Sequence, residues 1–237
     1  YGLSNVHIYI GADLKQPDEQ IVSGNPADFL HRTFSALSLL YIENPNAEPL
    51  PVTYGLPDDA FIRGKVPMTK SEIRSIVLSK LKLTKNAILF DIGAGTGSIA
   101  IEAARQIPDG RVYAIERNPD GLDLIKENSL KLQADNLTIV SGTAPECLDT
   151  LPAATHAFIG GSGGHLKEIM QLLYSRNPEI RIVITAITLE TISQIMTLQK
   201  EMALPEPEII QIQVSSAKKA GPYHLMQGQN PVYIVSF

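Results

Sequence analysis

The sequence predicts an α/β protein whose main domain is doubly wound: a seven-stranded, mostly parallel sheet with helices on both faces and an antiparallel strand pair at its carboxyl end. Three observations carry this. Short apolar runs alternate with helical stretches from about residue 57 onward, a pattern that calls for right-handed crossovers between parallel strands. The first of these runs leads through Asp91-Ile92-Gly93-Ala94-Gly95-Thr96-Gly97 straight into a helix. The last two β-rich runs have no helical pattern between them, so they are expected to pair antiparallel at one side.

Taken in order, the chain opens on a strand-like stretch with Val6, Ile8, Tyr9 and Ile10, then a turn at Gln16-Pro17-Asp18, a short helix near Asp28 to Arg32, and a second apolar run from Leu37 to Ile42. These first 43 or so residues are too few to bury a core alone. Because Tyr1 stands inside the strand-like run, the sequence is expected to be part of a longer chain. Residues 44–57 hold Pro45, Pro49, Pro51, Pro57 and Gly55, which suits an extended linker. The domain from 58 to 237 then begins with Thr69 and Glu72 in capping-box spacing, followed by Ile73, Ile76, Val77 and Leu81 on one helical stripe.

Strands are predicted at Ala87–Asp91, Arg111–Glu116, Leu137–Val140, His156–Ile159, Arg181–Thr185, Glu208–Ser215 and Val232–Phe237. Helices are predicted at Ser98–Gln106, Pro119–Gln133, His165–Tyr174 and Leu189–Met202, with Asn118-Pro119 as a cap and first-turn proline.

Composition narrows the function. Of the 237 residues 44% are hydrophobic, enough for a real core, and the formal charge of −5 argues against a surface that neutralises nucleic-acid phosphates. No apolar run approaches the roughly 20 residues that span a bilayer. The single cysteine, Cys147, excludes an internal disulfide, no Cys and His set has metal-ligand spacing, and a reducing cytoplasm fits. Cys147, the methionines and Tyr174 read as core or surface filling.

The glycine turn is the strongest chemical signal. At the carboxyl end of a parallel strand such a turn faces the ligand crevice, and glycine lets a ligand approach the backbone closely. A dinucleotide fingerprint requires glycine at position 98, which is Ser98, and no Gly-Lys-Ser/Thr follows to make a Walker loop. Glu116 ends the next strand about 20 residues beyond, where a carboxylate accepts hydrogen bonds from ribose hydroxyls. Alone, the turn could serve tight strand-to-helix packing and Glu116 could be a solvated acid. Together they resemble the acid-x-Gly-x-Gly-x-Gly loop and strand-end acid of class I methyltransferases, with a Rossmann-like fold.

More of the chain carries a narrower resemblance. The segments Pro57 to Arg74, Gly142-Thr143-Ala144-Pro145-Glu146, Phe158-Ile159-Gly160-Gly161-Ser162-Gly163-Gly164 and Ala186 to Thr191 resemble the decarboxylating precorrin methyltransferases of cobalamin biosynthesis, over nearly the whole second domain. Pro17-Asp18-Glu19-Gln20-Ile21 and Phe34-Ser35-Ala36-Leu37-Ser38 resemble the tail of a companion methyltransferase domain that bifunctional members carry upstream. On this resemblance the first 43 residues are a remnant of that domain.

The resemblance implies S-adenosyl-L-methionine as cofactor, bound by Thr69, Asp91, Gly93, Ala94, Gly95, Thr96, Gly97, Glu116, Thr143, Ala144 and Gly160. Thr69 is also the expected helix cap, and Thr143 departs from relatives that often place an acid there. It implies methylation of a meso carbon of a reduced tetrapyrrole of the precorrin-6Y type, with loss of carbon dioxide from an acetate side chain. The run Gly160 to Gly164 leaves room for a planar acceptor, or is a packing turn. Arg63, Lys65, Gly161 and His165 are the first candidates for the carboxylate-rich substrate, with Lys218, Lys219 and His224 behind them; each is otherwise an ordinary solvated residue. Neither metal nor a catalytic acid or base is indicated, and the resemblance, to a family whose members form tetramers, implies a homo-oligomer. Two other readings share these residues: a class I methyltransferase acting on tRNA, protein or a small metabolite, and a silent cofactor-binding domain.

Overall fold

The structure, a computed structural model, describes residues 6–45 and 54–237. Most of the segment expected to be a linker lies outside the described residues. The chain divides into two compact units, Tyr1–Pro51 and Val52–Phe237.

In the first unit β1 (His7–Ala12) pairs antiparallel with β2 (Gln20–Gly24) on one side and β3 (Ser38–Glu43) on the other. The helix expected near Asp28 to Arg32 is instead a 3-10 turn at Pro26–Phe29, starting two residues earlier, because Asn25 and Asp28 cap each other across it. This small sheet buries Val6, Ile10 and Ala12 and leaves Leu39, Leu40, Tyr41 and Ile42 exposed.

The second unit follows the predicted alternation: α1 (Ser71–Leu81), β4 (Ile88–Ile92), α2 (Ser98–Gln106), β5 (Arg111–Glu116), α3 (Pro119–Lys131), β6 (Leu137–Ser141), β7 (His156–Ile159), α4 (Leu166–Arg176), β8 (Arg181–Ala186), α5 (Leu189–Glu201) and β9 (Glu208–Ile212). Then come β10 (Ser215–Ala220), β11 (Tyr223–Gly228) and β12 (Val232–Ser236). The seven-stranded sheet has the order β6-β5-β4-β7-β8-β12-β9. β12 slots between β8 and β9 and runs antiparallel to both. The strand expected to continue to Ser215 stops at Ile212, and β10 and β11 form a separate two-stranded hairpin whose residues are all exposed.

Period-two alternation divides the core cleanly. Leu89, Val112, Ala114, Phe158, Val183 and Ile234 face α1, α2 and α3, while Phe90, Ile92, Ile115, Ala157, Ile159, Ile184 and Val235 face α4 and α5. Asn118 caps α3 as expected: its side chain accepts from the Asp120 amide, with Pro119 in the first turn.

The start of α1 departs from expectation. Lys70, not Thr69, is the cap residue, and no side chain of the local sequence caps the helix. The Ser71 amide is satisfied from a distance instead, by Asp58 Oδ1 at 3.1 Å. The Thr69 carbonyl accepts from Arg74 Nη1. Arg74 is fully buried on the apolar stripe of α1, where it also reaches Glu102 Oε1 at 2.8 Å, Asp58 Oδ1 at 2.9 Å and the Leu56 carbonyl. Its guanidinium lies 4.7 Å from the centre of the Phe61 ring. Glu102, buried on α2, takes the amides of Gly55 and Leu56 at 2.6 and 3.0 Å. Paired and fully hydrogen-bonded, the two charges tie residues 55–69 to α1 and α2.

Candidate active site

The chain passes from β4 through β5 to β6 on one side, then returns to place β7 on the other side of β4. That reversal is the switch point of a doubly wound sheet, and a crevice opens outside the carboxyl ends of β4 and β7. The crevice is lined by Ile92, Gly93, Ile115, Glu116, Arg117, Gly142, Thr143, Ala144, Gly161, Ser162 and Gly163.

The glycine turn is built by backbone. The amides of Gly93 and Ala94 both bond the Ile115 carbonyl at 3.0 Å. A Cβ on Gly93 would stand 2.7 Å from the Gly161 carbonyl oxygen, and φ there is +74°, so the two loops meet as bare backbone. Gly97 is the cap residue of α2.

Glu116 turns towards this loop. Its Oε2 accepts the Gly95 amide at 2.8 Å, and its Oε1 accepts Arg117 N at 2.9 Å and Asn118 N at 2.8 Å. A carboxylate offers about four acceptor positions, so one remains, on Oε2. A ribose that donates two bonds to Glu116 therefore displaces one of the three backbone amides.

Asp91 is buried at the end of β4 and is not part of the crevice lining. Its Oδ2 accepts the Ala100 amide at 2.9 Å, while Oδ1, like Thr96 Oγ1, is buried without a partner among the described residues. Burial lifts its pKa from 3.8 to about 7, the Ala100 bond opposing and the Glu116 charge adding. Folded Asp91 thus keeps its proton where the unfolded chain has lost it, and between those two values the native state binds more protons. Stability is expected to fall as pH rises through that window and to level off above about 7. Urea midpoints at about pH 5 and about pH 8 check this, with Asp91→Asn expected to flatten the difference.

Of the expected cofactor residues, Gly93, Glu116, Thr143 and Ala144 line the crevice; Ala94, Gly95, Thr96 and Gly97 complete the loop beside it; Gly160 bonds the Ile92 carbonyl at its base. Thr69 is half-buried at the foot of α1, outside the lining. Gly161 lines the crevice, whereas His165 is exposed at the start of α4 and Arg63 and Lys65 are exposed on the irregular stretch before α1. Lys218, Lys219 and His224 stand on the β10–β11 hairpin.

Arg117 was not among the expected site residues, and Gly142, Ser162 and Gly163 stood there only within longer motif runs, with no individual role. Arg117 Nη1 lies 3.5 Å from where a Gly163 Cβ would stand, and this guanidinium forms no ion pair among the described residues. Its place directly after Glu116 was the available signal.

A crevice at the switch point, floored by side-chain-free backbone, walled by Ile92, Ile115 and Ala144 and closed by a carboxylate, fits an adenosyl group carrying a charged sulfur. Fold and site together define a class I S-adenosylmethionine-dependent methyltransferase. The comparisons narrow this: the family model described as precorrin methyltransferase domain matches residues 59–237, and the chain belongs to that family. A probable cobalt-precorrin-6B C(15)-methyltransferase (decarboxylating) of Pyrobaculum calidifontis is 41% identical over 187 residues, 78% of this chain and 95% of that one. The corresponding Salmonella typhimurium enzyme is 38% identical over 181 residues, 76% of this chain and 93% of its own. The crystal structure of precorrin-6y C5,15-methyltransferase from Geobacter metallireducens aligns with a TM-score of 0.74 at 40% identity, covering 79% of this chain and 98% of that one. Among the described residues, no helix is long and apolar enough to cross a membrane.

Proposed function

We propose that this chain methylates a ring carbon of a corrin precursor of the precorrin-6Y type and removes carbon dioxide from one of its acetate side chains. The observation that carries this reading is convergence: Gly93, Glu116, Thr143, Ala144 and Gly161 to Gly163, drawn from segments far apart in a precorrin-methyltransferase sequence, line one crevice. S-adenosylmethionine supplies an electrophilic methyl group there. The loop from Gly93 to Gly97 and the free acceptor position of Glu116 hold the nucleoside, and Ile92, Ile115 and Ala144 exclude water from it. Gly161 to Gly163 leave space for a flat macrocycle alongside. Arg117, a cation with no ion pair among the described residues, stands at that edge and suits a substrate carboxylate, with Arg63, Lys65 and His165 as further candidates.

Incubation with the corrin precursor and methyl-labelled donor is expected to give labelled product and carbon dioxide. Normal binding of S-adenosylhomocysteine with neither product would remove the corrin assignment and leave a methyltransferase for another acceptor, tRNA or a small metabolite. No binding at all would leave neither.

The same reading makes the first unit part of a companion methyltransferase domain, supported by the apolar residues its small sheet leaves bare, and places the protein in the cytoplasm. It also makes the protein a homo-oligomer. The β10–β11 hairpin supports this: an isolated two-stranded hairpin is marginal in water, yet this one exposes Tyr223, Leu225 and Met226. Sedimentation is expected to show an assembly that Leu225→Lys with Met226→Lys shifts towards monomer; a monomeric unaltered chain would end the idea.

A further inference from the structure

The stretch from Phe61 to Lys70, which carries Arg63 and Lys65, has neither helix nor strand, and Ile62 to Lys65 are exposed. One buried side chain holds its start. Asn128, in the C-terminal part of α3, is 0% exposed, and its Oδ1 accepts the Ile62 amide at 2.7 Å while its Nδ2 donates to the Ile62 carbonyl at 3.0 Å. The same Nδ2 donates its second hydrogen to the Thr96 carbonyl, in the glycine loop, at 3.1 Å. Further along, the Pro67 carbonyl oxygen lies 2.9 Å from where a Gly95 Cβ would stand, so strap and loop touch as bare backbone at a second point.

Both hydrogens of this amide are therefore committed, one to each of two segments that have no covalent reason to move together. An apolar side chain here would leave the Ile62 amide and two carbonyls without their partner; a carboxylate would face those carbonyls with a third acceptor. Thr96 immediately precedes Gly97, the cap of α2, so the peptide that Asn128 holds belongs to the floor on which the donor rests.

We propose that Asn128 is a positioning residue of the donor site, locking the 61–69 strap to the glycine loop so that strap order and donor binding rise and fall together. This rests on the methyltransferase reading above. The coupling is reciprocal: whatever orders the loop orders the strap, and a loosened strap weakens binding at the loop.

Two variants weaken the link from opposite ends. Asn128→Asp keeps shape and removes both donated hydrogens. Ile62→Pro removes the amide that Asn128 accepts; Ile62 is 37% exposed, and Phe61 has φ −92° and ψ 139°, a conformation compatible with a following proline. Each is measured by calorimetry with S-adenosylhomocysteine, by amide exchange over residues 61–69 with and without that ligand, and by urea unfolding. Leu198→Ala, in the core on the α5 side of the sheet, serves as a destabilised comparator.

In the unaltered protein the ligand is expected to slow exchange across the strap. Both variants are expected to bind at least about tenfold more weakly and to lose that protection, while the comparator keeps normal affinity despite its lower urea midpoint. Should Asn128→Asp not fold, Ile62→Pro decides alone. Reduced stability with unchanged affinity and unchanged ligand-induced protection would make Asn128 a purely structural residue and overturn the proposal. Absence of any binding by the unaltered chain would overturn the methyltransferase reading and this inference with it.

Discussion

Glu116→Ala is expected to weaken S-adenosylhomocysteine binding by well over tenfold, and by more than the loss of a ribose contact alone would cause. A hydrogen bond to a charged group contributes about 1.5–3 kcal/mol. In the structure the carboxylate already organises the loop, holding Gly95 N through Oε2 and Arg117 N and Asn118 N through Oε1. Truncation removes the acceptor offered to the ribose and also frees the Gly95 amide, so the loop must be ordered again on binding. Glu116→Gln separates the two parts. Its Oε1 can still accept backbone amides on one side, but its amide nitrogen meets another N–H on the other, so an intermediate loss is expected. Calorimetry at one salt concentration measures all three proteins. Equal affinity of Glu116→Ala and the unaltered chain would take Glu116 out of the donor site.

Arg74→Met is expected to cost about 3–5 kcal/mol of folding stability, the range found when one member of a buried ion pair is removed. Arg74 and Glu102 have side-chain exposures of 0% and 1%, so the abandoned carboxylate has no water to turn to. Two amides, from Gly55 and Leu56, depend on the same carboxylate, and the carbonyls of Leu56 and Thr69 lose their donor. Adding Glu102→Gln is expected to restore part of the loss, because the uncompensated charge goes while an oxygen acceptor stays. Urea unfolding near pH 7 reads both. A single variant within about 0.5 kcal/mol of the unaltered protein would place this pair among the solvated surface bridges, contrary to its burial.

The two results bear on different parts of one device. Glu116 holds the floor of the crevice from the β5 side, and Arg74 with Glu102 anchors the segment that leads to the strap. Neither function could be read from residue type alone. Glu116 was legible because it ends a strand after a glycine turn, a local arrangement with a stated chemical use. Arg74 and Glu102 left a weaker trace, a charge on the apolar stripe of each of two helices, which becomes meaningful only once the two stripes face each other. The Thr69 and Glu72 spacing pointed to a local cap, and the structure caps the helix from Asp58 instead, because Arg74 pulls Asp58 and the Thr69 carbonyl to itself. A tertiary ion pair outweighs a local preference worth about 1 kcal/mol.

Local chemistry in the chain was sufficient for the alternation of strands and helices, the parallel sheet, the glycine turn and the acid that faces it. Each depends on neighbours within one or two elements, through side-chain periodicity and the backbone freedom of glycine. Only tertiary structure decided that β12 enters between β8 and β9, that the β10–β11 hairpin leaves the sheet between β9 and β12, that Arg117 meets Gly163, and that Asn128 joins Ile62 to Thr96 across 66 and 32 positions. Those are pairings of backbone and polar groups between distant segments. Such groups carry no periodic signal along the sequence, and each is selected only by which partner the packed core leaves within reach.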